Sequence, residues 1–273
     1  MIIKRGDQRN QKVMNMFLND LPFPAIPSIS TFCSSRQGGI SRGNYADLNL
    51  GDHVGDDPNA VMENRQRLQQ QLHRPQLNTV YLQQVHGTTA TLITDAPPKF
   101  PPQADAVVTQ QADLLLAIMT ADCLPVLFAH PQSGVIAAAH AGWRGARDGI
   151  LENTLAGMQR LGAVPQETIA MLGPCIRQPH YEVDGAFYAQ FMTDDGDNTV
   201  FFQPSPHHTE RWMFDLPGYA KWRLLRAGVA LPNVYDCERC TYQEETLLFS
   251  HRRATHRGHI PCGRQISGIY RRS

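Results

Sequence analysis

The chain of 273 residues is long enough to bury a sizeable core without disulfides. Its 25 basic residues balance 25 acidic ones, which leaves no basic field of the kind that binds nucleic acid or an anionic membrane. The apolar stretch over residues 114–129 is interrupted by Thr120, Asp122 and Pro125, so it is shorter than the ~18 continuous apolar residues of a membrane helix. We therefore expect a soluble protein that acts on a small molecule, with no nucleic acid and no membrane as partner.

The first twenty residues show no sustained hydrophobic period. We expect residues 1–20 to form a loosely ordered tail and residues 21–273 to form a single domain, with a first strand near Ile29. The opening residues lack the apolar region of a secretory signal, and the six cysteines are too dispersed for a disulfide framework. Reduced thiols and a cytoplasmic location are therefore expected.

The segment between Ser34 and Gly55 is rich in Ser, Gly, Asn and Asp and is too long for a plain turn. Because apolar side chains are interspersed in it, we expect this segment to pack against the domain as a binding element. Asp57 and Pro58 then provide an N-cap and a first helical residue. They predict a helix from residue 58 to about residue 72.

Strand and helix signals alternate along the rest of the chain. Three apolar runs, over residues 114–119, 125–129 and 135–140, predict strands that are buried on both faces. The third run leads through a glycine turn into a helix predicted over residues 146–161. The alternation predicts one α/β domain with mixed sheets. Further strands are predicted over residues 79–83, 89–94, 168–172 and 234–235, and further helices over residues 185–192 and 216–227.

Polar residues follow two of the predicted buried strands. Asp122 and Cys123 end one strand, and His140 ends another. Together with His86, they offer two imidazoles and a thiolate, a ligand set that leaves a tetrahedral zinc with one open position. The three ligands are far apart in the chain, so their spacing alone does not show that they converge. Two other interpretations stay open: Cys123 as a nucleophile with His140 as its base, oriented by Asp122, or a buried thiol with ordinary histidines.

Arg144 lies just before Gly145, at the first turn of the helix predicted over residues 146–161. Free backbone N–H groups at such a turn favour an anion, and a guanidinium adds a bidentate donor. We therefore expect Arg144 to bind phosphate. A second basic cluster, between His251 and Arg264, is typical of a solvated face, although it also suits an anion.

A second group of residues imitates a different zinc site. His180 and Glu182, followed by Cys237 and Cys240, have the spacing of the two halves of zinc base deaminases. Asp236 stands where those enzymes have a proline, so we favour a loop cysteine pair near the surface.

Twelve short segments along the chain carry a family resemblance. They are 34–36, 38–39, 48–51, 55–56, 63–65, Gln84-Val85-His86-Gly87, Ala104-Asp105, Thr120-Ala121-Asp122-Cys123-Leu124-Pro125, His140-Ala141-Gly142-Trp143-Arg144-Gly145, 173–174, 181–183 and 240–242. These segments resemble the YfiH, or laccase-domain, family, and they occur in the family's order. The resemblance covers nearly everything from Cys33 to Arg264. Two positions depart from the family pattern: His251 stands where tyrosine is common, and Cys262 where threonine is usual.

The resemblance implies a single layered α/β/α domain, related to the catalytic domain of cytotoxic necrotizing factor, a Cys–His deamidase. It implies that His86, Cys123 and His140 bind zinc. It also implies phosphorolysis of adenosine, guanosine, inosine and methylthioadenosine, and hydrolytic deamination of adenosine. The family's older description, a multicopper polyphenol oxidase, fits less well because the 11 histidines include no His-x-His pair. Copper is therefore the less favoured metal.

We accordingly expect a cytoplasmic zinc enzyme, monomeric or homodimeric, whose substrates are purine nucleosides and phosphate. Arg144 and Arg36 would hold phosphate near the ribose C1′, and in deamination Asp122 or Glu182 would move protons while water attacks purine C6. The alternatives are a Cys–His thiol hydrolase or deamidase and a copper oxidase. The expected catalytic residues are Asp122, Cys123, Arg144 and Glu182, and the expected substrate-binding residues are Arg36, Asn49 and Arg144.

Overall fold

The computed structural model describes residues 16–74 and 77–273. None of the helices in these two ranges is long and apolar enough to cross a bilayer. The strands are β1 (Ile29–Cys33), β2 (Asn78–Val80), β3 (Ala90–Ile93), β4 (Ala106–Thr109), β5 (Leu114–Thr120), β6 (Leu124–His130), β7 (Val135–Ala141), β8 (Ile169–Leu172), β9 (Glu182–Asp184), β10 (Phe202–Pro204), β11 (Arg211–Phe214), β12 (Val234–Asp236) and β13 (Gln265–Arg271). The helices are α1 (Pro58–Gln71), α2 (Trp143–Asp148), α3 (Ile150–Arg160), α4 (Gly185–Asp194), α5 (Leu216–Arg226) and α6 (His251–His256).

The strands form three sheets. A four-stranded sheet has the order β1-β13-β5-β2, and a six-stranded sheet has the order β12-β8-β6-β7-β4-β3. Both sheets combine parallel and antiparallel pairs. For example, β2 is parallel to β5 in the four-stranded sheet, and β6 is antiparallel to β7 in the six-stranded sheet. The third sheet, β10-β11-β9, is antiparallel. The predicted α/β class with mixed sheets is confirmed.

The two larger sheets pack face to face around a shared apolar core. Leu116 of β5, Leu127 of β6 and Ile136 of β7 meet in this core. Alternate side chains of β5 point to the opposite face, where Leu115 packs with Leu68 of α1. The outer face of the six-stranded sheet is covered by α3 and α5. The two sheets therefore form the inner layers of the fold, and helices form the outer layers. Every residue of β5, β6 and β7 is buried.

Helix α1 begins where its capping signal predicts. The carboxylate of Asp57 accepts the N–H of Asn59 at 2.9 Å, and Pro58 occupies the first helical position. The predicted strands at residues 114–119, 125–129 and 135–140 are confirmed as β5, β6 and β7 with small shifts at their ends.

The prediction of one continuous helix over residues 146–161 is wrong. The segment contains two helices, α2 and α3, separated at Gly149. Gly149 has a φ of +107°, in the left-handed region that favours glycine, and its N–H donates to the carbonyl of Gly145 at 3.0 Å. The helix that carries Arg144 is therefore only six residues long.

Most of the predicted tail, residues 1–15, lies outside the described residues. The end of the tail is held against the domain. The N–H of Leu18 donates to the carbonyl of Cys33 at 2.9 Å, and the N–H of Ser35 donates to Met16 at 2.7 Å. Leu18 is also buried, and the loosely ordered tail over residues 1–20 stays a prediction. The single domain over residues 21–273 stays a prediction.

Candidate metal centre

The pairing of strands brings together residues that are far apart in the chain. Cys123 directly precedes β6, and His140 is the second-last residue of β7. In the antiparallel pair of these strands, Pro125 lies opposite His140, so the beginning of β6 meets the end of β7. The loop between β2 and β3 carries His86. The structure therefore brings together all three residues expected to bind a metal.

The ligand atoms of His86, Cys123 and His140 lie within 4.8 Å of one another. The Cys123 Sγ is 3.8 Å from His86 Nε2, and the two imidazole rings cross at 79° with their centroids 4.8 Å apart. His140 is buried, Cys123 is half-buried and His86 is exposed, so the cluster is reached from the His86 side. Over residues 16–74 and 77–273, this is the single group of three or more His, Cys, Asp or Glu side chains that are close enough together to hold a metal ion.

The buried carboxylate of Asp105 holds both histidines. Its Oδ1 accepts hydrogen bonds from His140 Nδ1 at 2.8 Å and from the N–H of His86 at 2.9 Å. Its Oδ2 accepts the N–H groups of Val85 at 3.2 Å and Gly87 at 2.7 Å. With its proton on Nδ1, His140 presents Nε2 to the cluster, as a metal-binding histidine does when a carboxylate supports it.

The sequence patterns include Asp105 only in the segment Ala104-Asp105 and assign no role to it. The available signal is its place directly before β4, which pairs with β7 so that Ala106 lies opposite Ala139. This register puts the main chain of Asp105 against His140, whose N–H donates to the Asp105 carbonyl at 2.7 Å.

Gly142 leaves space at the centre of the three ligands. A Cβ at this position would lie 3.0 Å from His86 Cδ2, 3.3 Å from Cys123 Sγ and 3.7 Å from His140 Cε1. The φ of Gly142 is −63°, which any residue adopts, so the glycine is required for space rather than for conformation. This space and the donor set of two imidazoles and one thiolate fit a tetrahedral metal ion with one open position.

The cluster favours a thiolate at Cys123. Burial raises the pKa of the Cys123 thiol, but the charge and hydrogen bond of His140, with those of His86, lower it further, to about 6. Burial lowers the pKa of His140, whereas the Cys123 thiolate and Asp105 raise it, to about 9. A thiolate is the reactive form of cysteine both as a metal ligand and as a nucleophile. The electrostatics therefore suit both chemical interpretations of Cys123.

Asp122 ties the Cys123 turn to α6. Its φ is +99°, an uncommon conformation for a residue other than glycine. Its Oδ1 accepts the hydroxyl proton of Thr241 at 2.6 Å, and its Oδ2 accepts the N–H of Arg252 at 2.6 Å. Both oxygens are thus engaged in holding the turn. The expected role of Asp122 in proton transfer stays a prediction.

A cavity of about 560 Å³ lies beside the cluster, lined in part by Trp143, Tyr181, Glu182 and Arg252. Trp143 follows Gly142 directly, and the backbone N–H of Arg252 donates a hydrogen bond to Asp122, the residue before Cys123. Burial and the nearby Cys123 thiolate both raise the pKa of Tyr181, which places Tyr181 within electrostatic reach of the cluster. The cavity therefore adjoins the cluster through the neighbours of Cys123 and Gly142, while the side chains of His86, Cys123 and His140 themselves lie outside its lining.

Glu182 is one of two carboxylate side chains, with Asp184, that line the cavity. His208 Nδ1 lies 2.6 Å from its Oε2 and 2.9 Å from its Oε1, and Arg211 lies 3.9 Å from Oε1. Although burial raises the pKa of Glu182, its hydrogen bond and ion pair with His208 lower it below its usual range. The structure thus places Glu182 in an acid–base pair with His208.

Arg144 is exposed, and its guanidinium lies 4.9 Å from the centre of the Trp143 ring. It forms no hydrogen bond or ion pair with any other residue in the described ranges. The guanidinium therefore has its N–H groups available for an anion next to the cavity wall. Because α2 has only six residues, the support expected from a long helix is absent.

Arg36 serves the packing of the loop after β1. Its Nε and Nη2 donate to the carbonyl of Ala46 at 2.8 and 2.6 Å, and its Nη1 donates to the carbonyl of Glu245 at 3.2 Å. It lines a separate cavity of about 320 Å³. The expectation that Arg36 acts with Arg144 on one phosphate therefore does not fit the structure, because no contact or shared cavity in the described part of the chain brings the two side chains together.

Asn49 is fully buried, and its amide is saturated by protein groups. Its Nδ2 donates to the Gly51 carbonyl at 3.0 Å and to Asp56 at 2.9 Å, while its Oδ1 accepts the N–H groups of Gly51 and Arg264. The expectation that Asn49 binds substrate does not fit this environment. Asn49 instead fixes the long loop against the strand that follows Arg264.

Cys237 and Cys240 are buried rather than near the surface, at 6% and 5% exposure. Burial raises the pKa of Cys237 to about 11, so this thiol is inert. Asp236, which stands in place of the deaminase proline, pairs with Arg177. Among the described residues these cysteines join no metal-binding group, so the preference against a base-deaminase site is consistent with the structure.

The sequence matches a family model described as multi-copper polyphenol oxidoreductase laccase over residues 30–272. A purine nucleoside phosphorylase of Haemophilus influenzae is 35% identical over 233 residues, which are 85% of this chain and 92% of the relative. One from Corynebacterium glutamicum is 39% identical over 222 residues, 81% of this chain and 87% of the relative. The crystal structure of a Neisseria meningitidis protein is similar with a TM-score of 0.82 and 37% identity, covering 94% of this chain and 100% of that chain. YlmD from Geobacillus stearothermophilus has a TM-score of 0.81 and 31% identity, covering 95% and 100%.

Proposed function

The chain belongs to the multi-copper polyphenol oxidoreductase laccase family, the YfiH family that the sequence resembles, and from this premise we propose that it cleaves purine nucleosides with phosphate. The observation that carries the proposal is the His86–Cys123–His140 cluster beside the cavity of about 560 Å³. Aromatic walls such as Trp143 and Tyr181 suit a flat purine base, and cationic side chains suit phosphate.

We assign zinc rather than copper to the cluster. Two imidazoles and one thiolate with an open fourth position form a ligand set suited to catalytic zinc. A multicopper oxidase needs a further histidine-rich cluster, and the described part of the chain contains a single group of close metal-binding side chains. Zinc, when bound, supplies a Lewis acid beside the cavity.

In phosphorolysis, a phosphate oxygen forms a bond to ribose C1′ as the bond from C1′ to N9 breaks, and the electron pair of that bond passes to the purine. The purine then needs a proton. Glu182 and His208 form the acid–base pair of the cavity wall, and we assign to them the proton that the leaving base takes up. Arg144 holds the phosphate and offsets its charge.

The proposed substrates are adenosine, guanosine, inosine and methylthioadenosine, with hydrolytic deamination of adenosine as a second activity. Deamination consumes water rather than phosphate, so it does not depend on Arg144. As water forms a bond to purine C6, Asp122 or Glu182 would take a proton from the water and pass it to the exocyclic amine, so that the C6–N bond breaks and ammonia leaves. A cytoplasmic location and a monomeric or homodimeric state complete the proposal.

The decisive experiment is a product assay with the purified, zinc-loaded protein. Adenosine and inosine are incubated with and without inorganic phosphate, and adenine, hypoxanthine, inosine and ribose 1-phosphate are separated by chromatography. We expect free base and ribose 1-phosphate only with phosphate, and inosine from adenosine in both conditions. Absence of turnover of every purine nucleoside would refute the proposal.

The same cluster supports a second function, that of a thiol hydrolase or deamidase. Cys123, His140 and Asp105 form a nucleophile, a base and an orienting carboxylate, with the His140 Nδ1 2.8 Å from Asp105 Oδ1. Metal content distinguishes the two functions. Less than about a tenth of a zinc per chain after gentle purification would favour the thiol enzyme, because a catalytic zinc site of this type retains its metal.

A further inference from the structure

We propose that Arg252 binds the phosphate in this cavity, in the role expected for Arg36. This inference rests on the proposed function, since it concerns the co-substrate of the same reaction. It assigns a binding residue that the sequence patterns did not single out, because Arg252 lay within a basic cluster typical of a solvated face.

The position of Arg252 is fixed relative to the metal cluster. Arg252 is the second residue of α6, and its N–H donates to Asp122 Oδ2 at 2.6 Å. Asp122 directly precedes Cys123, and its other oxygen is held by Thr241. One hydrogen bond and one peptide bond therefore join Arg252 to a metal-binding residue.

The side chain of Arg252 enters the cavity with most of its donors available. Its Nη1 donates to the carbonyl of Glu182 at 2.7 Å, and its guanidinium lies 5.4 Å from the centre of the Tyr181 ring. The remaining N–H groups meet no acceptor in residues 16–74 or 77–273. A guanidinium anchored at one nitrogen keeps a planar edge that matches two oxygens of a phosphate.

The other arginine of the cavity wall is engaged differently. Arg211 lies 3.9 Å from the Glu182 carboxylate, so its charge is offset, and its side chain is 52% exposed. Arg252 has no carboxylate partner within ion-pair distance among the described residues. Arg144 is likewise unpaired, and it stacks on Trp143 of the same wall. Arg252 is therefore the arginine of the cavity lining whose charge no carboxylate of the described residues offsets.

Arg252 exchanges no proton in the reaction. The phosphate oxygen forms its bond to C1′, the electron pair of the broken bond goes to the purine, and the Glu182–His208 pair provides the proton for the base. The guanidinium holds the phosphate oxygens that do not react and offsets their charge throughout. Its loss should therefore raise the KM for phosphate and leave the KM for the nucleoside nearly unchanged.

The test compares Arg252→Lys and Arg252→Gln with Arg211→Gln, a matched change in the same cavity wall. Binding of inorganic phosphate to the zinc-loaded protein is titrated calorimetrically without nucleoside, and zinc content is measured in each variant. We expect at least ~10-fold weaker phosphate binding in Arg252→Lys, because lysine keeps the charge but loses the planar edge. Arg252→Gln should bind more weakly still, and Arg211→Gln should stay within about twofold of the wild type.

A second measurement uses the unaltered protein, so it does not depend on the folding of a variant. Phenylglyoxal modifies accessible arginines, and peptide mass spectrometry identifies them. Inorganic phosphate should protect Arg252 but not Arg226, whose side chain is 64% exposed and distant from this cavity wall.

Phosphate affinity within about twofold of the wild type in Arg252→Lys, or no protection of Arg252, would overturn the inference. Equal losses in Arg252→Lys and Arg211→Gln would overturn it as well, because the effect would then be one of overall charge. If phosphate binds through Arg252 and no nucleoside is cleaved, the phosphate site stands and the proposed phosphorolysis fails.

Discussion

Replacing Asp105 by asparagine should weaken zinc binding although no ligand is removed. The carboxylate accepts four hydrogen bonds, two at each oxygen, from His140, His86, Val85 and Gly87. An asparagine side chain has one acceptor oxygen and one NH2 group. In either orientation, the NH2 group faces two N–H donors and leaves both without an acceptor.

The less costly orientation keeps the oxygen toward the buried His140 and turns the NH2 group toward the loop. Val85 is 45% exposed, so water can replace part of what the loop loses. With about 1 kcal/mol for each donor, at the low end of the range for an unsatisfied group, the metal-free protein should lose about 2 kcal/mol of unfolding free energy. Loss of a carboxylate behind a metal-binding histidine lowers metal affinity by about 10–100-fold, or ~1.4–2.7 kcal/mol.

Competition with a chromophoric chelator measures the zinc affinity, and chemical unfolding in excess chelator measures the stability of the metal-free protein. Asp113→Asn is the matched control, since this carboxylate is 43% exposed and lies 3.6 Å from Arg74. We expect Asp113→Asn to bind zinc like the wild type. Zinc affinity within twofold of the wild type in Asp105→Asn, with unchanged stability, would refute the role assigned to Asp105.

Gly142→Ala should lower zinc affinity at least ~10-fold, because its Cβ would meet Cys123 Sγ at 3.3 Å, whereas a Cβ at Gly196 meets nothing within 4 Å. Calorimetric titration of Gly142→Ala and Gly196→Ala compares them, and equal affinities would contradict the steric argument. Cys123→Ala should lose stoichiometric zinc and nucleoside cleavage together, while Cys262→Ser keeps both; a full zinc complement in Cys123→Ala by metal analysis would exclude thiolate ligation. Arg144→Lys should keep zinc and the melting temperature but lose ~10-fold or more in phosphorolysis, about 1.4 kcal/mol. Deamination, followed in the same product assay, should be spared; an equal loss of both activities would give Arg144 another role.

The central strands were predictable because burial on both faces demands a continuous apolar run. The strands β5, β6 and β7 satisfy this rule at every residue. The last strand, β13, was missed because Ser267 and Gly268 interrupt its apolar pattern. The structure explains the glycine: a Cβ at Gly268 would lie 2.6 Å from the ring of Phe32 on the neighbouring strand.

The side chains of the candidate metal centre were predictable by type, but their supporting residues were not. Convergence of Cys123 and His140 depends on the register that places Pro125 opposite His140, which the sequence pattern does not specify. Asp105 acts through hydrogen bonds to main-chain N–H groups, and these leave no signature in residue types. The break at Gly149 was also hidden, because an isolated glycine inside a helical pattern is compatible with a continuous helix.

The turn that carries Cys123 joins the two large sheets, because β5 belongs to the four-stranded sheet and β6 to the six-stranded sheet. This connection matters for protein design. A loop graft would transfer His86 alone, and a hairpin of β6 and β7 would transfer His140 without the crossing that positions Cys123. The shortest continuous piece with all three side chains of the cluster and Asp105 runs from residue 86 to residue 140. A scaffold that receives this centre must therefore provide two stacked sheets and a chain that passes from one to the other.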